Sequence, residues 1–305
     1  MILRKKINNN IVLSALWPDR KYRKRLASST AQFDGEMSSL YNSIAENHRH
    51  EKGPWNLMLK KLQSKYNNNN DDLTIIDIAS GPGEPACTIA KSIPKATVFS
   101  TDISIDMHKI SSIQSINIKN LKSIVLDAQD LSIFSTNSID AITCCYGFMF
   151  PEDKIKCLSE VYRVLKPGGI LISTHWIHLD GMFICKAILK AMYEIQSNSL
   201  PPKFSINPMS LAEPNLFNNI CIQGGFKKES IEVEQSSYPF NLGNDPEYQY
   251  KLITLPIRPI IDELQCHTIA KKVYKNIVNQ YTVYDESTKN LILPNNVFTM
   301  TTIIK

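Results

Sequence analysis

The chain has 305 residues, 43% of them hydrophobic, and a formal net charge of +5 at neutral pH. This composition is sufficient for the core of one large domain or of two modest ones. The sequence contains no apolar run of about 18 residues, which excludes a membrane-spanning helix. Its seven cysteines are odd in number and irregularly spaced, which favours reduced thiols in an intracellular compartment over a disulfide framework.

Residues 1–25 form a basic arm in which Asp19 is the only acid. We interpret the segment as a solvated arm, while contact with anionic lipid or nucleic acid and a targeting role stay open. The reduced thiols lead us to expect a cytoplasmic location, and the basic arm leaves a mitochondrial one as the alternative. The basic side chains are those of Arg4, Lys5, Lys6, Arg20, Lys21, Arg23, Lys24 and Arg25.

Residues 26–66 carry aromatic and aliphatic side chains at helical spacing, which predicts a helical cover segment. A polar run over residues 67–72, four Asn followed by two Asp, predicts a linker between this segment and the next domain.

Residues 74–83 combine a buried strand with a tight turn of small residues. The strand ends at Asp77, and the chain then turns through Ala79, Gly81 and Gly83. Small residues at such a turn let the backbone approach a bound nucleotide, because larger side chains would collide with it. The turn therefore predicts a nucleotide site, although Ala79 stands where a dinucleotide-binding turn has glycine.

Acidic residues also follow the next two predicted strands. The second strand, 96–101, ends at Asp102, about 20 residues beyond the turn, where a doubly wound sheet places a ribose-binding carboxylate. The third strand, 123–126, is followed by Asp127 and Ala128. Each acid alone also fits a helix cap or a turn, but acids at successive strand ends together favour a nucleotide site.

The fourth predicted strand, 138–144, brings two cysteines together at its end, Cys144 and Cys145. Neighbouring side chains on a strand alternate between faces, so these two cannot both point into one pocket, and we expect no metal site there. A helix over 154–165 then ends at a Lys-Pro-Gly-Gly turn, and a fifth strand covers 170–174.

In this order, the motifs resemble those of the class I S-adenosylmethionine-dependent methyltransferases. The similarity is close over residues 73–176 and looser elsewhere. The runs 102–104 and 163–169 are most similar to the small-molecule branch that includes the ubiquinone and menaquinone C-methyltransferases. The resemblance implies an α/β fold, a Rossmann-like seven-stranded doubly wound sheet that is parallel apart from one strand, with an added helical cover.

The resemblance also implies S-adenosylmethionine as the cofactor and gives roles to individual residues. The turn 79–83 would lie under the methionine end, Asp102 would accept from both ribose hydroxyls, and Asp127 would face the adenine amino group. Ala128 would supply a backbone donor, while Ile103 and Met107 would pack on the adenine and ribose. The full cofactor-binding set is Asp77, Ala79, Gly81, Gly83, Asp102, Ile103, Met107, Asp127, Ala128 and Cys144.

Beyond the fifth strand, insertions alternate with core elements. We predict an insertion over 177–207, a core helix and strand six over 208–240, a helical insertion over 241–290 and a closing strand over 291–305. Both insertions can fold back over the same sheet edge, so with the cover segment they are expected to build the acceptor pocket.

Methyl transfer from a sulfonium depends mainly on aligning the nucleophile, the methyl carbon and the leaving sulfur. A base is needed only where the acceptor must lose a proton. The catalytic candidates are Tyr146 at the end of strand four and His175 at the end of strand five. His178 would lie one helical turn further on if the chain coils there. In the resembled family the cover would bring one of three side chains near the reacting centre, those of Tyr41, His48 and His50.

Other functions stay open at this point. A nicotinamide-dependent oxidoreductase shares the first turn and acid, but its turn is normally Gly-x-Gly-x-x-Gly. A nucleic-acid methyltransferase could use the basic arm, but the Asn/Asp-Pro-Pro-aromatic loop of base-methylating relatives is missing after strand four, so we expect no nucleic-acid partner. A non-catalytic scaffold could keep the cofactor site. We predict methyl transfer to a small-molecule acceptor through an O, N, S or C nucleophile, with the oligomeric state open.

Overall fold

A computed structural model describes residues 36–66, 72–196 and 209–305. The basic arm, the start of the cover segment, nearly all of the linker and the end of the first insertion lie outside the described residues.

The strands found in these ranges join into a single mixed sheet. They are β1 (Thr74–Ile78), β2 (Thr97–Asp102), β3 (Leu121–Val125), β4 (Ile139–Cys145), β5 (Leu165–Leu179), β6 (Ile231–Asn241), β7 (Val283–Asp285) and β8 (Asn290–Ile304). Their order is β3-β2-β1-β4-β5-β8-β6, and β7 pairs with β8. Strands β1 to β5 are mutually parallel, whereas β8 runs antiparallel to both β5 and β6.

Helices connect the strands and cover the sheet. The α-helices are α1 (Glu36–Ala45), α2 (Pro54–Tyr66), α3 (Ala86–Ser92), α4 (Ile105–Ser115), α5 (Lys154–Val164), α6 (Asp180–Gln196), α7 (Leu216–Gln223), α8 (Pro246–Thr254), α9 (Arg258–Glu263) and α10 (His267–Tyr281). A 3-10 helix, Glu46–Arg49, lies between α1 and α2. In the described ranges, no helix is both long enough and apolar enough to cross a bilayer.

The central strands are buried on both faces, as expected of a parallel sheet that helices cover from both sides. In β1, the side chains from Ile75 to Ile78 are all buried, although successive residues point to opposite faces. The register pairs Asp77 with Ser100 of β2 and with Thr143 of β4. The carboxyl ends of these strands therefore meet at one edge, and the predicted doubly wound α/β fold is confirmed.

The insertions after β5 and β6 build a second hydrophobic core beside the one that packs on the sheet. Helix α6 contributes Ile184 and Ile188, and the later helices contribute Ile253, Ile261 and Tyr274. All five side chains are at most 5% exposed. The region between the two cores is therefore walled by both the sheet and the insertions.

Three details differ from the sequence-based expectations. Strand β5 continues to Leu179, because its pairing with β8 extends to the partners Leu179 and Asn296. His178 accordingly lies in a strand opposite Val297 and not in a helical turn. Strand β6 extends to Asn241, and the predicted helical insertion contains β7, which forms a hairpin with β8. The sheet of the described residues therefore has eight strands where seven were expected.

Candidate active site

The turn after β1 bends the backbone through the left-handed region three times. The φ angles are 53° at Ala79, 55° at Gly81 and 108° at Gly83. The turn is fastened to the next strand, because the Ser80 N–H donates to the Thr101 carbonyl at 2.9 Å. A side chain at Gly83 would also lie 2.9 Å from the Ser111 hydroxyl, so this position needs glycine for space and for conformation.

Asp77 lies beneath this turn and is fully buried. Thr143 donates its hydroxyl to Asp77 Oδ1 at 2.6 Å, and Ser80 donates to Oδ2. Burial raises the pKa of this carboxyl to about 7, although both hydrogen bonds favour its charged form. Asp77 therefore supports the turn from below and does not line the open space above it.

At the end of β2, the carboxylate of Asp102 is held by two backbone groups. The Gly81 N–H donates to its Oδ2 at 2.9 Å, and the Ser104 N–H donates to its Oδ1 at 2.8 Å. Ser104 in turn caps α4 by accepting from the Met107 N–H at 3.2 Å. The strand end, the turn and the helix start are thus tied together at one carboxylate.

At the end of β3, Asp127 is buried and accepts from the Gln129 N–H at 2.8 Å. The neighbouring Ala128 follows the strand at the same edge. Together with the β1 turn and the start of α4, these residues enclose a cleft of about 1390 Å³, counting its open mouth. Its predicted lining residues are Ala79, Gly81, Asp102, Ile103, Met107, Asp127, Ala128 and Tyr146, and the others include Leu126, Gln129, Cys145, Phe148 and Glu152.

Three predicted cofactor residues are placed differently. Asp77 and Gly83 support the turn, as described above. Cys144 is fully buried on the other face of β4, where its sulfur accepts from the backbone N–H groups of Gly147 and Phe148. Cys145 takes the cleft-facing position instead, because neighbouring strand residues alternate faces.

A second cavity adjoins the cleft. It has a volume of about 980 Å³ with its open part, lies between the two hydrophobic cores, and is here called the apolar chamber. Tyr41, Tyr146 and Phe150 line both spaces. The remaining lining residues of the chamber are His48, Met149, Trp176, Leu179, Gly181, Met182, Phe240, Leu242, Leu252, Ile253, Leu255, Pro256, Leu293 and Asn296.

Tyr146 forms the wall between the cleft and the chamber. Its φ is 60°, an unusual value for a tyrosine, and its N–H donates to the Thr174 carbonyl at 3.1 Å. The ring stacks on Trp176 with centroids 3.8 Å apart and an interplanar angle of 5°. Burial raises the pKa of the Tyr146 hydroxyl well above its usual value, so this group is neutral at physiological pH.

His48 also faces the chamber. It lies in the 3-10 helix, is 3% exposed, and its Nδ1 is 2.6 Å from the hydroxyl of Tyr238. The sequence placed His48 in the cover segment but gave no reason to prefer it to His50, which lines neither cavity.

The 3-10 helix is fastened to the β1 turn by Arg49. Its guanidinium pairs with Glu84 at 2.9 Å and with Glu46 at 2.8 Å, and it stacks over the Trp55 ring at 5.1 Å from the centroid. Since Glu84 directly follows the turn, this pairing fixes His48 relative to the cleft.

His175, the second predicted base, lies away from both cavities. Its ring contacts Phe217 of α7 at 5.2 Å between centroids, and it is buried at 6% exposure. Next to it on β5, Trp176 points into the chamber, so the alternation of a strand directs His175 to the opposite face. In the described ranges, no cluster of His, Cys, Asp and Glu could hold a metal ion.

These features define an α/β protein with a nucleotide-type cleft at the carboxyl edge of its sheet and an apolar chamber beside it. Residues 76–173 match a family model described as a methyltransferase domain. The ubiquinone/menaquinone biosynthesis C-methyltransferase UbiE of Wigglesworthia glossinidia brevipalpis is 33% identical over 186 residues, 60% of this chain and 68% of that protein. The chain belongs to the S-adenosylmethionine-dependent methyltransferase family that includes these C-methyltransferases.

Other relatives agree with this result. UbiE of Rickettsia prowazekii (strain Madrid E) is 33% identical over 140 residues, 44% of this chain and 54% of that protein, so the chain spans about half the length of this relative. The solved structure of Haemonchus contortus phosphoethanolamine N-methyltransferase 2, in complex with phosphomonomethylethanolamine and S-adenosylhomocysteine, aligns with a TM-score of 0.52 at 21% identity. It covers 90% of this chain and 58% of that protein. The alignment supports the fold.

Proposed function

We propose that this protein transfers a methyl group from S-adenosylmethionine to a small hydroxylated aromatic acceptor of the quinol type. The observation that carries the proposal is the contact between the two cavities. The cleft and the apolar chamber share Tyr41, Tyr146 and Phe150 as a common wall. A donor in one cavity and an acceptor in the other would therefore meet at this wall.

The residues of the cleft fit the cofactor. The Asp102 carboxylate is an acceptor-only group at the end of β2, which suits the hydroxyl donors of a ribose. Asp127 offers an acceptor of the same kind at the end of β3, and Ala128 follows it with a backbone donor. Ile103 and Met107 supply apolar surface for an adenine ring. Ala79 and Gly81 line the cleft without a long side chain, which leaves room for the amino-acid end.

The acceptor class follows from the chamber. Most of its lining is aliphatic or aromatic, and few lining side chains carry polar groups: His48, Asn296, the hydroxyls of Tyr41 and Tyr146, and the indole N–H of Trp176. Such a cavity favours an uncharged, flat molecule with one or two polar substituents. The curated relatives are named as quinone C-methyltransferases, which supports a hydroxylated ring as the acceptor and one of its carbons as the methylated atom.

When bound, the cofactor supplies an electrophilic methyl carbon on a positively charged sulfur. The protein must align the acceptor with that carbon and exclude water, and orientation of this kind can lower a barrier by about 7–11 kcal/mol. The stacked rings of Tyr146 and Trp176 form a rigid face for the acceptor to lie against. The two insertions close the chamber with Met182, Leu252 and Ile253, and β8 adds Leu293.

The cellular setting is also part of the proposal. All seven cysteines are free and buried, which supports a reducing compartment and the cytoplasmic location expected from the sequence. Mitochondrial import stays the alternative, since the basic arm lies outside the described residues. The apolar chamber supports a small-molecule partner over a nucleic acid, which binds mainly through its phosphates.

Calorimetry with S-adenosylhomocysteine tests the cofactor site. Asp102→Ala should raise the dissociation constant about 10- to 150-fold, because a hydrogen bond to a charged group contributes about 1.5–3 kcal/mol. Asp106→Ala is the matched control, since Asp106 lies on α4 and pairs with Lys109 at the surface. Equal affinities for the wild type and the Asp102 variant would contradict the assignment.

Mass spectrometry then tests the reaction. Incubation with S-adenosylmethionine and a short-chain demethylmenaquinol should yield a product heavier by one methyl group, with the new group on a ring carbon. Methylation of oxygen would keep the enzyme class and change the acceptor atom. Binding of S-adenosylhomocysteine without methylation of any hydroxylated ring would refute the acceptor class.

A further inference from the structure

A histidine and a tyrosine from distant parts of the chain form a buried pair in the wall of the apolar chamber. His48 comes from the 3-10 helix of the cover segment, and Tyr238 comes from β6, 190 residues later. The Nδ1 atom and the phenolic oxygen are 2.6 Å apart, and the two side chains are 3% and 1% exposed. The Tyr238 hydroxyl also lies 3.4 Å from the hydroxyl of Tyr146.

The other ring nitrogen of His48, Nε2, belongs to a side chain that lines the chamber. Nε2 makes no hydrogen bond to any described residue. It is nevertheless not one of the fully buried polar atoms without a partner, so part of its surface is accessible. Because His48 lines the chamber, Nε2 is the ring nitrogen left to meet a ligand there. By comparison, His175 Nδ1 is both buried and unpaired.

The surroundings of His48 hold it in the neutral form. The rings that pack around it are uncharged, and they belong to Trp55, Tyr146, Trp176, Tyr238 and Phe240. Burial in this cluster lowers the pKa of the imidazole to about 3. A neutral imidazole has one N–H donor and one acceptor nitrogen, so the partner of Nδ1 decides which role falls to Nε2.

We propose that His48 accepts the proton of the acceptor's hydroxyl group through Nε2, and that Tyr238 acts as a positioning residue that holds the tautomer with hydrogen on Nδ1. In this arrangement Nδ1–H donates to the Tyr238 oxygen, and the Tyr238 hydroxyl donates to the Tyr146 oxygen. The lone pair of Nε2 then faces the chamber. The inference rests on the proposed function for the identity of the acceptor.

The proton and electron balance is simple. The acceptor O–H bond breaks, its proton moves to Nε2, and the electron pair left on oxygen is shared with the ring. A ring carbon forms the bond to the methyl carbon while the methyl–sulfur bond breaks, and that bonding pair stays on sulfur. The hydrogen displaced from the ring carbon returns a proton to the oxygen, so one proton in total leaves through His48.

The low pKa of His48 in the ligand-free protein does not prevent this role. Protonation of Nε2 places a positive charge in the site at the step in which the sulfonium charge of the donor is lost. The total charge of the site stays constant, so the burial penalty that acts on the imidazolium is offset. After the reaction, a low pKa favours release of the proton.

Nitrogen NMR of the ligand-free protein tests the tautomer without any activity measurement. The chain has six histidines, and protein labelled with ¹⁵N-histidine would be assigned by comparison with the His48→Gln variant. We expect His48 to be neutral at pH 7 with its hydrogen on Nδ1, and Tyr238→Phe to shift the population toward the other tautomer. Hydrogen on Nε2 in the wild type, or a protonated ring, would overturn the proposal.

Kinetics with the demethylmenaquinol probe supply the second readout. His48→Gln should lower kcat by about 10²- to 10⁴-fold, as expected for the loss of a general base, with unchanged affinity for S-adenosylhomocysteine. Tyr238→Phe should lower kcat less, because His48 is retained and only part of its population then carries the hydrogen on Nε2. His50→Gln is the matched control, since its ring stacks at 6.4 Å from Tyr238 outside both cavities.

The two proposals fail in different ways. An active wild type together with a fully active His48→Gln variant would refute the base and leave the proposed function standing. A wild type that methylates no hydroxylated ring would refute the proposed function, while the NMR result would still decide the tautomer. If His48→Gln does not fold, Tyr238→Phe carries the kinetic test, and full activity of that variant in an unchanged tautomer would refute the positioning role.

Discussion

Asp77→Asn should change how the free energy of unfolding depends on pH. Asp77 contributes stability that falls as the pH rises, and the Asn variant lacks this fall. Most carboxylates in folded proteins have a lowered pKa and add stability as the pH rises. Asp77 is fully buried, and burial raises its pKa from 3.8 to about 7. The folded protein therefore holds this proton over a pH range in which the unfolded chain has already released it.

The direction and size of the effect follow from these two values. Below about pH 4 both states are protonated and the contribution is complete, and it is lost as the pH rises through about 7. A difference of about three pKa units corresponds to about 4 kcal/mol, of which about 3 kcal/mol falls between roughly pH 5 and pH 8. Asn is uncharged throughout, so the variant lacks this loss.

Urea denaturation of both proteins at a series of pH values measures the effect. The difference between the two free energies of unfolding isolates Asp77, because all other titrating groups are shared. The Asn variant should gain stability relative to the wild type as the pH rises, by about 3 kcal/mol over the range. If the difference in unfolding free energy stays constant between about pH 5 and pH 8, the raised pKa of Asp77 is refuted. If the difference changes in the opposite direction, the hydrogen bonds from Ser80 and Thr143 outweigh the effect of burial on this pKa.

Three further substitutions test the surroundings of the site, and one of them is a stability control. Gly147→Ala would place a methyl group 2.6 Å from the Cys144 sulfur, so we expect a loss of about 1–3 kcal/mol in unfolding free energy from overpacking and weaker S-adenosylhomocysteine binding in calorimetry. Gly181→Ala is the stability control, because the nearest atom to its methyl would be 3.6 Å away, and a matching loss there would contradict the steric argument. His175→Gln should leave kcat for the quinol probe unchanged, because the ring packs on Phe217 and lines neither cavity. A fall in kcat as large as that of the His48 variant would restore His175 as the base.

The sheet and the cleft at its carboxyl edge were predictable because each depends on local patterns. Buried strands that end in an acid can be read from the sequence, and parallel strands bring such ends to one edge. Asp102, Asp127 and the β1 turn are accordingly found together. The face of a side chain at a strand end depends on one residue of register, so sequence reasoning chose Cys144 where Cys145 lines the cleft.

The apolar chamber was less predictable, because it is built where two cores meet. Its walls come from the cover segment, the segment after β4, the strands β5, β6 and β8, and the helices α6 and α8. Contacts between elements so distant in sequence leave no periodic signal in any one of them. The sequence indicated that the insertions would form an acceptor pocket, but it could not indicate which side chains would face inward.

His48 illustrates this limit most clearly. In the sequence it is one of two histidines separated by Arg49, and no spacing distinguishes it from His50. The distinction comes from two contacts made by distant parts of the chain. Arg49 pairs with Glu84, which sets the 3-10 helix against the β1 turn. His48 itself contacts Tyr238 of β6, the strand at one end of the sheet order. The β1 turn and the proposed base are thus linked through one guanidinium. A substitution of Arg49 should therefore affect the position of His48 as well as the turn, even though Arg49 lines neither cavity.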